Sequence, residues 1–263
     1  MNKKNIILIS IVLVVLIIFI ISLFLIFNKK TFNNANTNLD ISNNDNLSQN
    51  SSNNAELISS YKSGTTIVSF YKDGRIVVSD NSGEGKGKMD DYDNSLTPWN
   101  PFSLGAKMEK LIVENGVISL GNSAFSLFNL KQIEWSDDLE IIGADNFARM
   151  YDLELPTLPA NLKEIRSTAF AQDFEDDENN KIVIPKSCTL IGTGAFYNAK
   201  IHHFIIESET LSIKSWGNSD SSPFWIGCKH NITIEVKNEN VKQTILEGLN
   251  TDNGRINVIV KGE

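Results

Sequence analysis

From Leu111 onward the apolar positions of this chain recur in one order. An aliphatic residue is followed five positions later by phenylalanine in Leu120-Gly-Asn-Ser-Ala-Phe125, Ile142-Gly-Ala-Asp-Asn-Phe147, Ile165-Arg-Ser-Thr-Ala-Phe170 and Ile191-Gly-Thr-Gly-Ala-Phe196. A fifth copy runs the eleven positions from Ile213 to Phe224, with six extra residues inside it. The aliphatic lead residues advance by 22, 23, 26 and 22 positions. A near-constant period of this length predicts a solenoid, in which each unit buries its apolar face only against its neighbours.

The pattern continues upstream of each lead residue. Counting back three, seven and nine positions gives Val117, Val113 and Leu111, then Leu139, Trp135 and Ile133, then Leu162, Leu158 and Pro156. The fourth copy gives Cys188, Ile184 and Ile182, and the fifth Thr210, Ile206 and Phe204. Apolar residues two apart, bounded by turn residues, predict a short strand with one buried face. A second short strand ends at the lead residue. Gly121, Gly143 and Gly192 follow it, where a tight corner needs positive φ or close backbone approach. The phenylalanine then fills the coil interior from a helical turn. Thr210 is the one plainly polar inward position, and Pro156 is the one poor strand former.

These motifs resemble the BspA-like class of bacterial leucine-rich repeat surface proteins. Ile184-Pro185 through Ala195-Phe196 is the copy most similar to that family's pattern. The leader is similar too: Gly85-Lys-Gly-Lys-Met89-Asp-Asp-Tyr92, then Pro98-Trp99, then Leu111-Ile-Val-Glu-Asn-Gly116-Val. The resemblance covers about residues 61–263. Arg166 in place of glycine, Asn146 in place of alanine and the long fifth copy depart from the pattern. The resemblance implies a surface location and a binding role, and it brings no catalytic residues with it. The expected fold is a leucine-rich-repeat-like solenoid: a right-handed array of coils, mainly short β-strands with helical turns, preceded by one transmembrane helix.

That helix is read from Ile6 to Phe27, an apolar run broken only by Ser10 and Ser22. At about 1.5 Å per residue it matches the roughly 30 Å hydrocarbon core of a bilayer. It lacks the short apolar region and small-residue cleavage site of a signal peptide, so residues 1–30 read as an uncleaved signal anchor. Lysines flank the run on both sides, so the positive-inside rule orients it only weakly toward an internal N-terminus. Residues 31–57 are rich in Asn and Ser, have no apolar period, and read as a flexible linker. Residues 58–107 are expected to cap the solenoid, with strands near Thr65 to Tyr71 and Arg75 to Ser79. Residues 108–231 form the coils. Residues 232–263 close the stack with a strand, a short helix around Val241 to Leu249 and a last strand.

Charge narrows the partners. Without the four lysines around the apolar run, 20 basic residues face 32 acidic ones, a net of −12 for residues 31–263. That balance argues against nucleic acid, whose affinity rests on Lys and Arg contacts to phosphate, and against anionic lipid. Cys188 and Cys228, the two cysteines, read as small core residues, with a disulfide between coils as the alternative outside a cell. His202, His203 and His230 read as surface polar residues. No nucleophile elbow, zinc motif or phosphate loop is present, so neither cofactor nor metal is expected. The acidic stretch Asp173-Phe-Glu-Asp-Asp-Glu178 reads as a solvated loop, with calcium as the alternative.

The candidate binding positions are Ile112, Glu134, Thr157, Val183 and Ile205. Each lies between the two inward residues of a first strand, so stacking lines them up about 4.8 Å apart on the face away from the core. Contiguous exposed apolar surface marks partner sites, although β-branched residues also suit strands for their own sake. The loop Trp216 to Trp225 adds two tryptophans. The leading expectation is a single-pass membrane protein that uses this solenoid outside the cell to bind a protein or glycan, in adhesion or host interaction. A structural envelope spacer is the alternative, and a surface hydrolase the weaker one.

Overall fold

The computed structural model describes residues 55–93, 96–174, 177–213, 231–248 and 256–261. The chain divides into two units, Met1–Ser52 and Asn53–Glu263, and every described residue belongs to the second. The expected membrane anchor, nearly all of the linker, Phe224, Cys228, His230 and the Trp216 to Trp225 loop lie outside the described residues. Among the described residues no helix is long and apolar enough to cross a membrane.

The cap opens with three antiparallel strands, β1 (Leu57–Ser63), β2 (Thr66–Tyr71) and β3 (Arg75–Asp80). The sequence pattern predicts β2 and β3; β1 adds a strand beginning at Leu57, the last residue assigned to the linker. Gly74 turns the second hairpin at φ 88°, and a Cβ there would sit 2.7 Å from the Lys107 carbonyl oxygen. β3 is antiparallel to β2 but parallel to its other neighbour, β5 (Lys110–Val113). That change of direction turns a hairpin into a coil. β7 (Gln132–Trp135) completes a sheet of order β1-β2-β3-β5-β7.

The second strands are shorter. β4 (Gly87–Lys88), β6 (Val117–Ser119), β8 (Ile141–Ile142), β9 (Glu164–Ile165), β11 (Leu190–Ile191) and β13 (Ser212–Ile213) form one unbroken parallel sheet. A third sheet holds β10 (Lys181–Ile184), β12 (His203–Ile206), β14 (Ile232–Val236) and β15 (Ile256–Val260), all parallel. Helix α1 (Glu239–Gly248) lies between the last two strands in sequence and buries Val241 and Ile245. It starts two residues ahead of the expected position. Asn238 accepts a hydrogen bond from the Val241 N–H at 2.9 Å through its side chain, the preference of an N-cap residue.

The phenylalanines form the spine. Phe125, Phe147, Phe170 and Phe196 are all buried. Their ring centroids follow one another at 6.4, 5.3 and 5.6 Å, near-parallel in each step. Trp99 stacks on Phe125 at 6.4 Å and extends the column into the cap. Its indole N–H donates to the Ala124 carbonyl at 3.0 Å, which satisfies the polar end of a buried tryptophan.

The corners show why glycine follows the lead residue. Gly121, Gly143 and Gly192 do not have positive φ; they are crowded. A Cβ on Gly143 would lie 2.4 Å from the Gly121 carbonyl oxygen, one coil below. The left-handed residues instead fall three positions after the lead residue: Ser123, Asp145, Thr168 and Gly194, at φ of 53° to 60°. Each N–H of the first three bonds the next coil: Ser123 to the Ala144 carbonyl, Asp145 to Ser167 and Thr168 to Thr193. The Thr168 hydroxyl also hydrogen-bonds the Asp145 carboxylate. Lateral bonding thus holds a backbone conformation that a β-branched residue rarely adopts.

Two inward positions depart from the expected pattern. Thr210 is exposed and Leu211 is buried beside it, a local change, since the strands on either side keep register with the fourth copy, Ile184 with Ile206 and Ile191 with Ile213. The stretch Leu155–Leu158 forms no strand. Pro156 lacks the N–H that a central strand must donate.

Candidate functional site

The first-strand face away from the core carries one row of side chains in strict register. Ser60, Ser69, Val77, Ile112 and Glu134 pair in turn across β1, β2, β3, β5 and β7. Val183, Ile205, Glu235 and Ile259 pair in turn across β10, β12, β14 and β15. Thr157 lies between the two runs on the segment without a strand. Four of the five expected positions therefore fall into two pairs, Ile112 with Glu134 and Val183 with Ile205, and Thr157 belongs to neither.

Their environments differ. Ile112 is half-buried between Val77 and Glu134. Glu134 is exposed and accepts from the Lys110 ammonium at 2.6 Å. Thr157 is exposed, and its carbonyl accepts from the Trp135 indole N–H at 2.7 Å. Val183 is 44% exposed. Ile205 does not share that exposure: it is 8% exposed, on the face opposite the core and outside the core cluster. The expectation that Ile205 faces solvent is corrected. Val183 sits on the edge strand β10, whereas Ile205 sits inside the sheet, with Val183 on one side and Glu235 on the other.

Ion pairs flank the row. Lys107 and Lys131 both reach Glu109, at 2.8 and 3.1 Å, and hold its carboxyl below the usual range. Arg75 lies 5.0 Å above the Tyr71 ring and pairs with Asp73 at 2.6 Å. The Gln132 amide donates to the Glu154 carboxylate at 3.1 Å. On the far half, Glu207 is held low by the Lys237 ammonium at 2.5 Å, with Lys261 at 3.7 Å. Lys261 also lies 3.4 Å from Glu235, and the His203 Nε2 lies 3.7 Å from the same carboxylate. Val183 is thus an apolar spot on a charged face.

The row extends beyond the five positions. Val77, Ser69 and Ser60 continue it into the cap, and Glu235 and Ile259 continue it through the closing strands. Ile232, Thr233, Ile234, Glu235 and Val236 carry the same period-two signal in the sequence, whereas Ile76, Val77 and Val78 are all aliphatic and only their burial alternates.

The other titratable groups are structural. Cys188 is a free thiol, fully buried, and burial pushes it up to about 11. A thiol held in that form is a poor nucleophile. Asp173, at the head of the acidic loop, turns inward and is fully buried. Its Oδ1 accepts from the Met150 N–H at 2.8 Å, while Oδ2 has no hydrogen-bond partner among the described residues. Burial drives its carboxyl well above the ordinary range. Glu175 and Asp176 of that loop lie outside the described residues. Among the described residues no group of three or more His, Cys, Asp or Glu could hold a metal ion.

BspA-type leucine-rich repeat regions match residues 99–223, in six copies. The match begins at Trp99, twelve residues ahead of Leu111, the first inward residue of the five copies read from the phenylalanine spacing. Among solved structures the chain is similar to a leucine-rich repeat protein from Eubacterium ventriosum, at 22% identity and a TM-score of 0.47, over 68% of this chain and 43% of that one. It is also similar to the pneumococcal vaccine antigen PcpA, at 17% identity and a TM-score of 0.41, over 71% of this chain and 46% of that one. The chain therefore spans less than half the length of either protein. No curated protein matches it.

Proposed function

We propose that this chain, which through residues 99–223 belongs to the BspA-type leucine-rich repeat family, is a membrane-anchored recognition module that presents its first-strand face to an extracellular protein or glycan. The observation that carries the reading is Val183: a large apolar side chain, 44% exposed, at the edge of a parallel sheet. Its β-branched side chain is already stiff, so a partner that buries it loses little entropy. The flanking ion pairs supply a polar rim, as around other partner-binding patches.

The apolar run Ile6 to Phe27 and the polar linker support display at a cell surface. Protease added to intact cells is expected to remove the repeat domain and leave an embedded stub. Full protection, or a mature N-terminus near residue 30, would reject that location. The site is tested by Val183→Lys in the full chain, displayed on cells and assayed against arrays of extracellular proteins and glycans. Binding should fall about tenfold, because the ammonium must be desolvated on contact. Unchanged binding by the folded variant removes this face. The burial of Ile205 on the same face favours a second reading, a structural spacer, which would bind nothing on either array.

A further inference from the structure

The first-strand face is not one sheet. It consists of β1-β2-β3-β5-β7 and β10-β12-β14-β15, with Leu155–Leu158 of the third coil between them and in neither. By repeat register, Pro156 stands where Leu111, Ile133, Ile182 and Phe204 stand in their coils. It has no N–H to donate, and Pro159 follows three residues later. Among the described residues, the one hydrogen bond that reaches Leu155–Leu158 from a neighbouring coil comes from a side chain, the Trp135 indole N–H to the Thr157 carbonyl at 2.7 Å. Backbone ladder bonds stop at Glu154, whose N–H donates to the Lys131 carbonyl at 2.9 Å. They resume at Lys163, whose N–H donates to Glu140 and whose carbonyl accepts from Thr189 and Leu190.

The rest of the third coil is tied fully to both neighbours. On the second-strand sheet, Ile141 pairs with Glu164 and Glu164 with Leu190. In the turns, Phe147 N–H donates to the Ala169 carbonyl at 2.9 Å and Phe170 N–H to Ala195 at 2.8 Å. Phe170 stacks between Phe147 and Phe196, at 5.3 and 5.6 Å. The coil is therefore bonded along its second strand and turn, and unladdered along its first strand.

We propose that the third coil is a bending point, at which the two first-strand sheets pivot about the continuous second-strand sheet. Among the described residues, moving β7 and β10 apart breaks no backbone–backbone ladder bond across Leu155–Leu158; the corner after them is held through side chains, by the Ala160 N–H to Asp137 Oδ1 at 2.9 Å and by the Ser187 hydroxyl to the Ala160 and Leu162 carbonyls at 2.7 and 2.8 Å. Any comparable opening elsewhere, between β5 and β7 or between β10 and β12, breaks a four-residue ladder. Motion concentrates where the fewest bonds are lost, as at a hinge. Trp135 tethers the joint: it rests on Phe147 and Phe170 and holds Thr157 through a single bond. The pivot sets the spacing between the Ile112–Glu134 half of the face and the Val183 half. It goes beyond the recognition reading and does not depend on it, since no ligand enters the test.

The test is a pair of spin-label distance distributions in the full chain, with Cys188 and Cys228 replaced by alanine. One pair, Gln132→Cys with Lys181→Cys, spans the joint on the first-strand face. The other, Glu140→Cys with Thr189→Cys, spans the same coils beside the second strands. The face pair should give a distribution about twice as wide as the other pair. Trp135→Phe keeps an aromatic in the packing and removes the bond, and should widen the face pair further. Pro156→Val restores an N–H and should narrow it. Equal widths for the two pairs, or a face pair indifferent to Trp135→Phe, would overturn the proposal. If Pro156→Val fails to fold, the comparison of pairs and the Trp135 variant still decide.

Discussion

Arg166 and Asp91 lie 75 positions apart in sequence, and their side chains meet at 3.2 Å. Arg166 occupies the corner position that Gly121, Gly143 and Gly192 hold in other coils. Its guanidinium reaches back to the leader, where Nη1 donates to Asp91 and, at 3.0 Å, to the side-chain oxygen of Asn122. Asp91 accepts from the Asn122 N–H at 2.8 Å, and Asn122 accepts from the Ala144 N–H at 2.8 Å. One non-glycine corner thus ties leader, first, second and third coils together.

A double-mutant cycle of Arg166→Met and Asp91→Asn should give a coupling of about 0.5–1 kcal/mol, because the pair is partly solvent-exposed and screened. Denaturant titration at low and high salt measures it, and the coupling should shrink as salt rises. Strict additivity at low salt would show the contact to be idle.

Asn146 replaces the alanine of the other coils for a local reason. Phe147 and Phe170 donate their N–H to the alanine carbonyl one coil on. Phe125 instead donates to the Asn146 side-chain oxygen at 3.2 Å, while Nδ2 bonds the Gly121 and Gly143 carbonyls at 2.8 and 3.1 Å. Asn146→Ala, though closer to the repeat pattern, should cost about 2 kcal/mol by stranding buried backbone groups. An unchanged denaturation midpoint would mean the backbone closes the gap by itself.

The aromatic spine should be the largest contributor at single positions. Phe147→Ala or Phe170→Ala should each cost about 3–5 kcal/mol, since neither side chain can be replaced by collapse of a stacked neighbour. Calorimetry on both variants measures this, and melting temperatures near wild type would contradict the plug role.

Two neighbours on the outward row should answer lysine differently. Val183→Lys should change stability by no more than about 0.5 kcal/mol, whereas Ile205→Lys should cost about 2 kcal/mol or more through burial of an ammonium. Circular dichroism melts of both variants compare them directly. A well-folded Ile205→Lys would show that whatever covers this position yields easily.

Asp173 makes stability depend on pH in an unusual direction for an acid. Its folded-state pKa lies above the unfolded value, so its favourable contribution is complete below about pH 4 and is lost as pH rises through the folded value. Asp173→Asn keeps an acceptor for the Met150 N–H and removes the ionisation. It should raise the melting temperature at pH 7 by about 3 °C or more, and the gain should vanish toward pH 4. Parallel melting curves for both proteins from pH 4 to 8 would reject this.

The repeat period, the four stacked phenylalanines, the two-strand coil, β2, β3 and the closing strands are legible in the sequence, because each rests on spacing within one repeat; β1 is not, since Leu57–Ser63 shows no alternation that sets it apart from the polar linker. Hydrophobic alternation, glycine corners and turn residues act locally; Pro156 reads as a poor strand former, but the repeat count still places Thr157 in a strand that the structure lacks. What the departures do is not legible. Arg166 and Asn146 look like defects in the repeat until stacking brings Asp91, Asn122 and Gly121 beside them. Ile112, Glu134, Thr157, Val183 and Ile205 form one column by count. The tertiary structure splits that column at the unladdered third coil and buries Ile205 while leaving Val183 open. Exposure depends on whether a strand lies at an edge or within a sheet, and that is set by pairing between coils, not by the residue or its neighbours in the chain.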